Sequence, residues 1–252
     1  MKQKLGKLFV IEGGDGSGKT EQFKLLAARL KAEGYKVAEA DFPRYGTPEK
    51  PNPASYFVSK YLQKKEFGFK KGYGDASQSN PYGISLAFAI DRFDAAFCQE
   101  NRPNLWELLR DGYHIVSNRY TQSNIGYQAI KIDDKKERAK FIEWLMDLEY
   151  GVLGIPQPDL VLLLDLDLNI ARALKARQRK EQGQSLDSHE RSSDILDKAR
   201  EAYLEAAKLF PETWTVIDVA TKAHPASGIL AGLHSREVIH EKIWSQVKKF
   251  LV

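Results

Sequence analysis

The segment Gly13-Gly-Asp-Gly-Ser-Gly-Lys-Thr20 constrains this chain more than any other stretch of it. Its spacing is G-x-x-x-x-G-K-[ST]; it follows the short apolar run Leu8 to Ile11 and opens an amphipathic stretch from Glu21 to Lys31. A strand that turns through glycines into a helix aims several backbone N–H groups at one point, where the helix N-terminus adds positive potential. The pattern predicts a cradle for the phosphates of a nucleoside triphosphate, built from Gly13, Gly14, Asp15, Gly16, Ser17, Gly18, Lys19 and Thr20. Lys19 is expected to span the β- and γ-phosphates, and the Thr20 hydroxyl to ligate magnesium. Motors, switches and kinases share such a loop, so it narrows the ligand and leaves the reaction open.

The rest of the chain supplies a frame for that loop. Four further apolar runs, Lys36 to Ala40, Tyr113 to Val116, Leu160 to Leu164 and Trp214 to Ile217, alternate with stretches of helical spacing. Strands separated by helices predict a doubly wound α/β fold, a parallel sheet covered on both faces. The 252 residues read as one domain over 1–252, without internal repeat or long linker. Gly46 to Tyr82, rich in Pro, Gly, Lys and Tyr, is expected to be an elaborated loop with a short helix, and a last helix is expected to begin near Arg236. With 38 basic against 34 acidic residues the net charge is +4, too small an excess to predict nonspecific nucleic-acid binding. No run approaches the roughly 18 apolar residues of a membrane span, and the N-terminus has no cleavage signal of the secretory kind. The single cysteine, Cys98, cannot pair within the chain, which suits a reducing cytoplasm; beside Phe97 it is expected to be a small buried apolar side chain. The five histidines show no zinc spacing.

A second set of residues points to an acceptor. At about 100° per residue, Leu86, Ile90, Phe93 and Phe97 share one helix face, expected to pack on the sheet, while Phe88 and Arg92 project from the other side. There an aromatic ring and a guanidinium one turn apart could stack on a base and hydrogen-bond to it. The same pattern fits Phe88 packed against a neighbouring helix with Arg92 in solvent. The third strand runs into Asn118-Arg-Tyr-Thr-Gln-Ser-Asn124, placing Arg119 at a sheet edge near the phosphate loop. Asn124, Tyr127 and Gln128 would face one way from a helix starting there. Asp165, at the end of the fourth strand, is expected to be structural.

Four blocks together resemble the thymidylate kinases, nucleoside monophosphate kinases that act on dTMP: Phe9 to Thr20, Asp41-Phe-Pro-Arg-Tyr-Gly46, Phe88-Ala-Ile-Asp-Arg92 and Asn118 to Asn124. Pro156-Gln-Pro-Asp-Leu-Val-Leu-Leu-Leu-Asp165 looks like that family's run into its fourth strand. The resemblance implies a P-loop three-layer fold with a five-stranded parallel sheet, an acceptor-side loop at about 46–82 and a mobile lid at about 172–194. It implies transfer of the ATP γ-phosphoryl to dTMP, giving dTDP and ADP for dTTP biosynthesis, with Mg2+ and in a homodimer packed through helices flanking the sheet.

Carried over by motif, Asp15 would approach the acceptor's 3′-hydroxyl, Phe88 would stack on thymine and Arg92 would donate to it. Arg119 would hold the dTMP phosphate; Phe42 and Tyr45 would line the acceptor site, with Arg44 near. Asn124 would help select the base, Tyr127 would crowd the sugar's 2′ position, and Glu190 would face the sugar. Lys19, Arg119 and a lid arginine, Arg177 or Arg179, would carry catalysis. One departure stands out: Asn118 occupies a position where the family usually has aspartate, losing a charge near the cation. Glu12 or Asp15 would have to compensate. The competing readings are a kinase of this fold with another nucleotide or nucleoside acceptor, and a nucleotide-binding regulator of low activity.

Overall fold

The computed structural model describes residues 5–69, 71–73, 78–98, 103–167, 169–171, 173–174, 189–221 and 232–251, and for 189–195 the backbone alone. Five strands, β1 (Leu8–Gly13), β2 (Val37–Asp41), β3 (His114–Asn118), β4 (Leu160–Asp165) and β5 (Trp214–Asp218), form one sheet in the order β2-β3-β1-β4-β5. Every neighbouring pair is parallel. The five apolar runs are thus the five strands. In chain order the helices described along their whole backbone are α1 (Lys19–Ala32), α2 (Tyr56–Tyr61), α3 (Pro81–Phe97), α4 (Leu105–Arg110), α5 (Gln122–Tyr127), α6 (Lys135–Met146), α7 (His189–Leu209) and α8 (Arg236–Val247).

β1 is buried along its whole length, so its side chains alternate between two apolar layers. Leu8 and Val10 join a core with Phe141 and Leu145 of α6, Ile125 of α5 and Tyr203 of α7. Phe9 and Ile11 join another with Phe23, Leu26 and Leu30 of α1 and Ile239 and Ile243 of α8. The parallel register brings Asn118 level with Ile11 on one side and with Asp41 on the other. The carboxyl ends of β1, β2 and β3 therefore share an edge, where an open α/β sheet binds ligands.

Two expectations are corrected. On α3 the stripe Leu86, Ile90, Phe93 and Phe97 does not pack on the sheet: each side chain is more than 40% exposed. The face turned inward carries Ser85, Ala87, Ala89, Ala95 and Ala96, whose small size lets the helix lie close to the body. Cys98, just past the end of α3, is exposed rather than buried. Asp165 is structural as expected, accepting Nε (2.6 Å) and Nη2 (2.7 Å) of Arg200 on α7. Between Gly46 and Tyr82 the chain forms α2 flanked by 3-10 turns at Pro53–Ser55 and Lys65–Phe67. No helix among the described residues is long and apolar enough to cross a membrane.

Candidate active site

The loop after β1 has the backbone its glycines allow. Gly18 is left-handed (φ 86°), and α1 begins without a side-chain cap, which leaves the N–H groups of its first turn free for a ligand. A Cβ at Gly13 would lie 2.6 Å from the Leu164 carbonyl oxygen, so that position has no room for a side chain. Lys19 is buried and donates to the Gly14 carbonyl at 2.7 Å. Burial first, then Arg119, pushes its pKa down to about 8, against the pull of Glu12 and Asp15. Ser17 Oγ is buried with no partner among the described residues, and Thr20 is open to the site.

Arg119 occupies the left-handed region (φ 65°), which non-glycine residues rarely enter. Its N–H donates to the Ile11 carbonyl at 3.0 Å, and Ser117 Oγ donates to its carbonyl at 2.6 Å; these two bonds hold the turn. The turn carries the guanidinium to Asp15 (3.2 Å) and over the Tyr127 ring, 5.4 Å from its centroid. Tyr127 also donates to Asp15, at 3.3 Å. The phosphate loop and the acceptor-side helix α5 therefore meet at three side chains expected to bind substrate.

Behind them lies a cavity of about 560 Å³. Phe42 and Tyr45 line it from the β2 end, Phe88 and Arg92 from α3, and Asn124, Tyr127 and Gln128 from α5 and its end. Arg92 is wholly enclosed rather than in solvent, and half-buried Phe88 meets both descriptions, lining the cavity while its ring stands edge-on to Tyr61 of α2, 6.3 Å between centroids. Burial keeps the Tyr45 phenol neutral, its pKa raised to about 12. Arg44 is turned away, with Nε on Asp91 (3.0 Å) and Nη2 on Asp94 (2.6 Å), and fastens the β2 loop to α3. Arg177 and Arg179 lie outside the described residues, as does the side chain of Glu190, whose backbone is in the first turn of α7.

Glu12, expected to help compensate through water for the missing carboxylate, is already engaged by protein donors. It is fully buried and accepts from Tyr120 N (3.0 Å), Ser123 Oγ (2.8 Å) and Tyr203 OH (3.1 Å). Asn118 has a charged neighbour instead: its Nδ2 donates to Asp41 Oδ1 at 2.8 Å, and its Oδ1 is buried without a partner among the described residues. Burial raises the Asp41 pKa, against the bond from Asn118 and the charge of Arg119. The carboxylate absent from the end of β3 is present one strand away.

Three groups escaped the sequence. Tyr61 and Leu62 bring the Gly46 to Tyr82 elaboration into the cavity wall. Lys131 ties that wall in place, donating to Tyr61 OH (3.2 Å), Ser79 Oγ (2.7 Å) and Gln128 Oε1 (2.7 Å). Glu149, in a π-helical turn at Asp147–Val152 that continues α6, is fully buried beneath Arg92 and Asn124. It accepts Arg92 Nε and Nη2 (2.5 Å each), Thr121 Oγ1 (2.8 Å) and, weakly, Asn124 Nδ2 (3.5 Å). Burial alone would lower the Arg92 pKa; the Glu149 carboxylate more than restores it. The one signal in the sequence is a glutamate between Leu148 and Tyr150, where helical periodicity predicts an apolar residue.

Comparison with known proteins places the chain among thymidylate kinases. The thymidylate kinase from Mycobacterium tuberculosis is 29% identical over 213 residues, covering 83% of this chain and 90% of that protein. A probable thymidylate kinase from Pyrobaculum aerophilum is 33% identical over 229 residues, covering 90% and 96%. The solved structure of thymidylate kinase from Candida albicans superposes with a TM-score of 0.63 over 97% of this chain and 92% of that one; at 23% identity it speaks for the fold. The sequence model of one family, described as thymidylate kinase, matches residues 11–226, and this chain belongs to that family.

Proposed function

We propose that the chain is an ATP-dependent thymidylate kinase: an oxygen of the dTMP phosphate attacks the γ-phosphorus of ATP, the bond to the β-phosphate oxygen breaks, and dTDP and ADP leave. The observation that carries this reading is the meeting of Asp15, Arg119 and Tyr127 between a phosphate loop and a cavity with room for a nucleotide. Arg119 holds the acceptor phosphate, and Lys19 the β- and γ-phosphates, so positive charge flanks the transferred group. The acceptor phosphate is largely ionised at neutral pH, with a second pKa of about 6, and needs no separate base. Phe88 stacks on the base, Arg92 and Asn124 read its edge, Phe42 and Tyr45 close the pocket, and Tyr127 occupies the space beside the sugar's 2′ position.

Magnesium suits the donors present. Thr20 offers an open hydroxyl, Asp15 an exposed carboxylate and Asn118 a buried oxygen without a partner among the described residues, all hard oxygen ligands. No group of three or more His, Cys, Asp or Glu among the described residues is placed to hold a metal, so nucleotide phosphates and water would complete the shell. Bound there, the ion would neutralise charge on the β- and γ-phosphates. The single-domain reading, the lid at about 172–194 with Arg177 or Arg179 entering on closure, Glu190 at the sugar and a cytoplasmic homodimer belong to the same proposal. The exposed stripe of α3 supports the dimer.

The test is ADP release with ATP and magnesium, offering dTMP, dUMP, dGMP, UMP and thymidine separately, with Lys19→Ala as the blank. A strong preference for dTMP is expected. ATP binding without turnover on any acceptor would overturn the proposal in favour of a regulator.

A further inference from the structure

Arg92 and Asn124 both line the cavity, and both rest on one buried carboxylate. A guanidinium presents only donors, so Arg92 can meet only an acceptor on a base. Asn124 is ambiguous, because its amide can present either end. Glu149 removes the ambiguity. A carboxylate beneath Asn124 attracts the amide nitrogen, which lies 3.5 Å from Oε1, and the amide oxygen is turned away from it. At this end of the cavity the two side chains then offer one donor group and one acceptor atom, matching a base with a carbonyl oxygen beside a ring N–H. Thymine and uracil have that edge. Cytosine presents the opposite, a ring acceptor beside an amino donor.

We propose that Glu149 is the positioning residue that sets the polarity of base reading, holding Arg92 as donor and Asn124 as acceptor so that pyrimidines with a 4-carbonyl are chosen over those with a 4-amino group. Glu149 touches no substrate and acts through the two side chains above it. Its place in a π-helical turn suits that role, since the extra residue in the turn brings this one side chain inward, while Val152 in the same turn is 71% exposed. Thr121 Oγ1, the fourth donor to the carboxylate, does not line the cavity and serves as an internal control.

The inference takes its choice of nucleotides from the thymidylate kinase reading, but binding tests it without turnover, so the two can fail separately. Calorimetric titration with dTMP and with dCMP gives the ratio of their dissociation constants for the wild type, Glu149→Gln and Thr121→Val. A glutamine at 149 can give its own NH2 to Asn124, leaving the amide free to turn over. The expected result is a preference for dTMP that falls at least tenfold in Glu149→Gln and is unchanged in Thr121→Val. Equal weakening of both nucleotides, with the ratio kept, would mark Glu149 as merely structural and overturn the proposal. Should Glu149→Gln fail to fold, Arg92→Met/Glu149→Met, which leaves no buried charge unpaired, takes its place. A wild-type preference for dTMP retained in that pair would overturn the proposal too.

Discussion

Lys19 carries its charge against the protein around it: burial and Arg119 bring its pKa from 10.5 to about 8. Phosphates reverse that balance, so binding holds the lysine protonated. Below about pH 7 the empty protein already has the proton and binding exchanges none; as pH rises through 8 the free lysine loses it, and ATP binding must take one up. The expected outcome is proton uptake on ATP binding that grows between about pH 7 and pH 9, with affinity declining across the same window. Calorimetry in two buffers of different ionisation enthalpy measures it, and a pH-independent proton count would contradict it. Lys19→Met should abolish the uptake.

Asn118 is a residue-scale problem with a local answer. Its amide donates to Asp41, whose pKa burial has already raised. Restoring aspartate at 118 would set two carboxylates where a 2.8 Å hydrogen bond now lies, and they would share a proton rather than both ionise. Asn118→Asp is therefore expected to lower kcat/KM for ATP by roughly tenfold, about 1.4 kcal/mol. Asp41→Asn/Asn118→Asp, which moves the charge across the strands, should recover most of the loss. Steady-state kinetics on the three variants decides it; additive losses in the double variant would show that the pair does not act together.

Among the elements, α5 is the most tightly placed part of the acceptor side. A Cβ at Gly126 would come 2.3 Å from Cζ of Tyr203, so the helix carrying Asn124 and Tyr127 lies directly against α7. Gly126→Ala is expected to cost about 1–3 kcal/mol of stability and to raise the KM for dTMP while leaving that for ATP unchanged. Thermal melts and initial rates check both; an equal rise in both KM values would argue against a local shift of α5. Elements were also the scale at which the sequence was most readable. Strand positions and the phosphate loop follow from spacing, because period and motif are local properties. Which face of α3 points inward does not, since periodicity treats large apolar residues as interior and here the alanines are. Nor does the left-handed Arg119 show in the sequence, or the pairing of Asn118 with Asp41, which needs strands 77 positions apart in number to lie side by side.

For the molecule as a whole, the α3 stripe is the surface that asks for a partner. Phe93 and Phe97 pack on each other with ring centroids 4.9 Å apart, while Leu86 and Ile90 extend the patch toward the start of the helix. Each of these side chains is already more than half covered, so covering the remainder contributes about 1 kcal/mol each, and two charges in the stripe are expected to dissociate a dimer. Ile90→Glu/Phe93→Glu is expected to turn a dimer into a folded monomer in light scattering coupled to size exclusion, with circular dichroism unchanged. A wild-type monomer at the same concentration would remove the dimer from the proposal.

The alternation along β1 has a consequence for how this protein can change. Val10 belongs to the layer that supports α5, α6 and α7; Ile11, its neighbour in the chain, belongs to the layer that supports α1 and α8. The sheet thus acts as a partition wall between two rooms furnished by different helices, which communicate at the carboxyl ends of the strands, where Asp15 meets Arg119 and Tyr127. A larger side chain at position 10 is therefore expected to disturb α5, α6 and α7, and one at the adjacent position 11 to disturb α1 and α8.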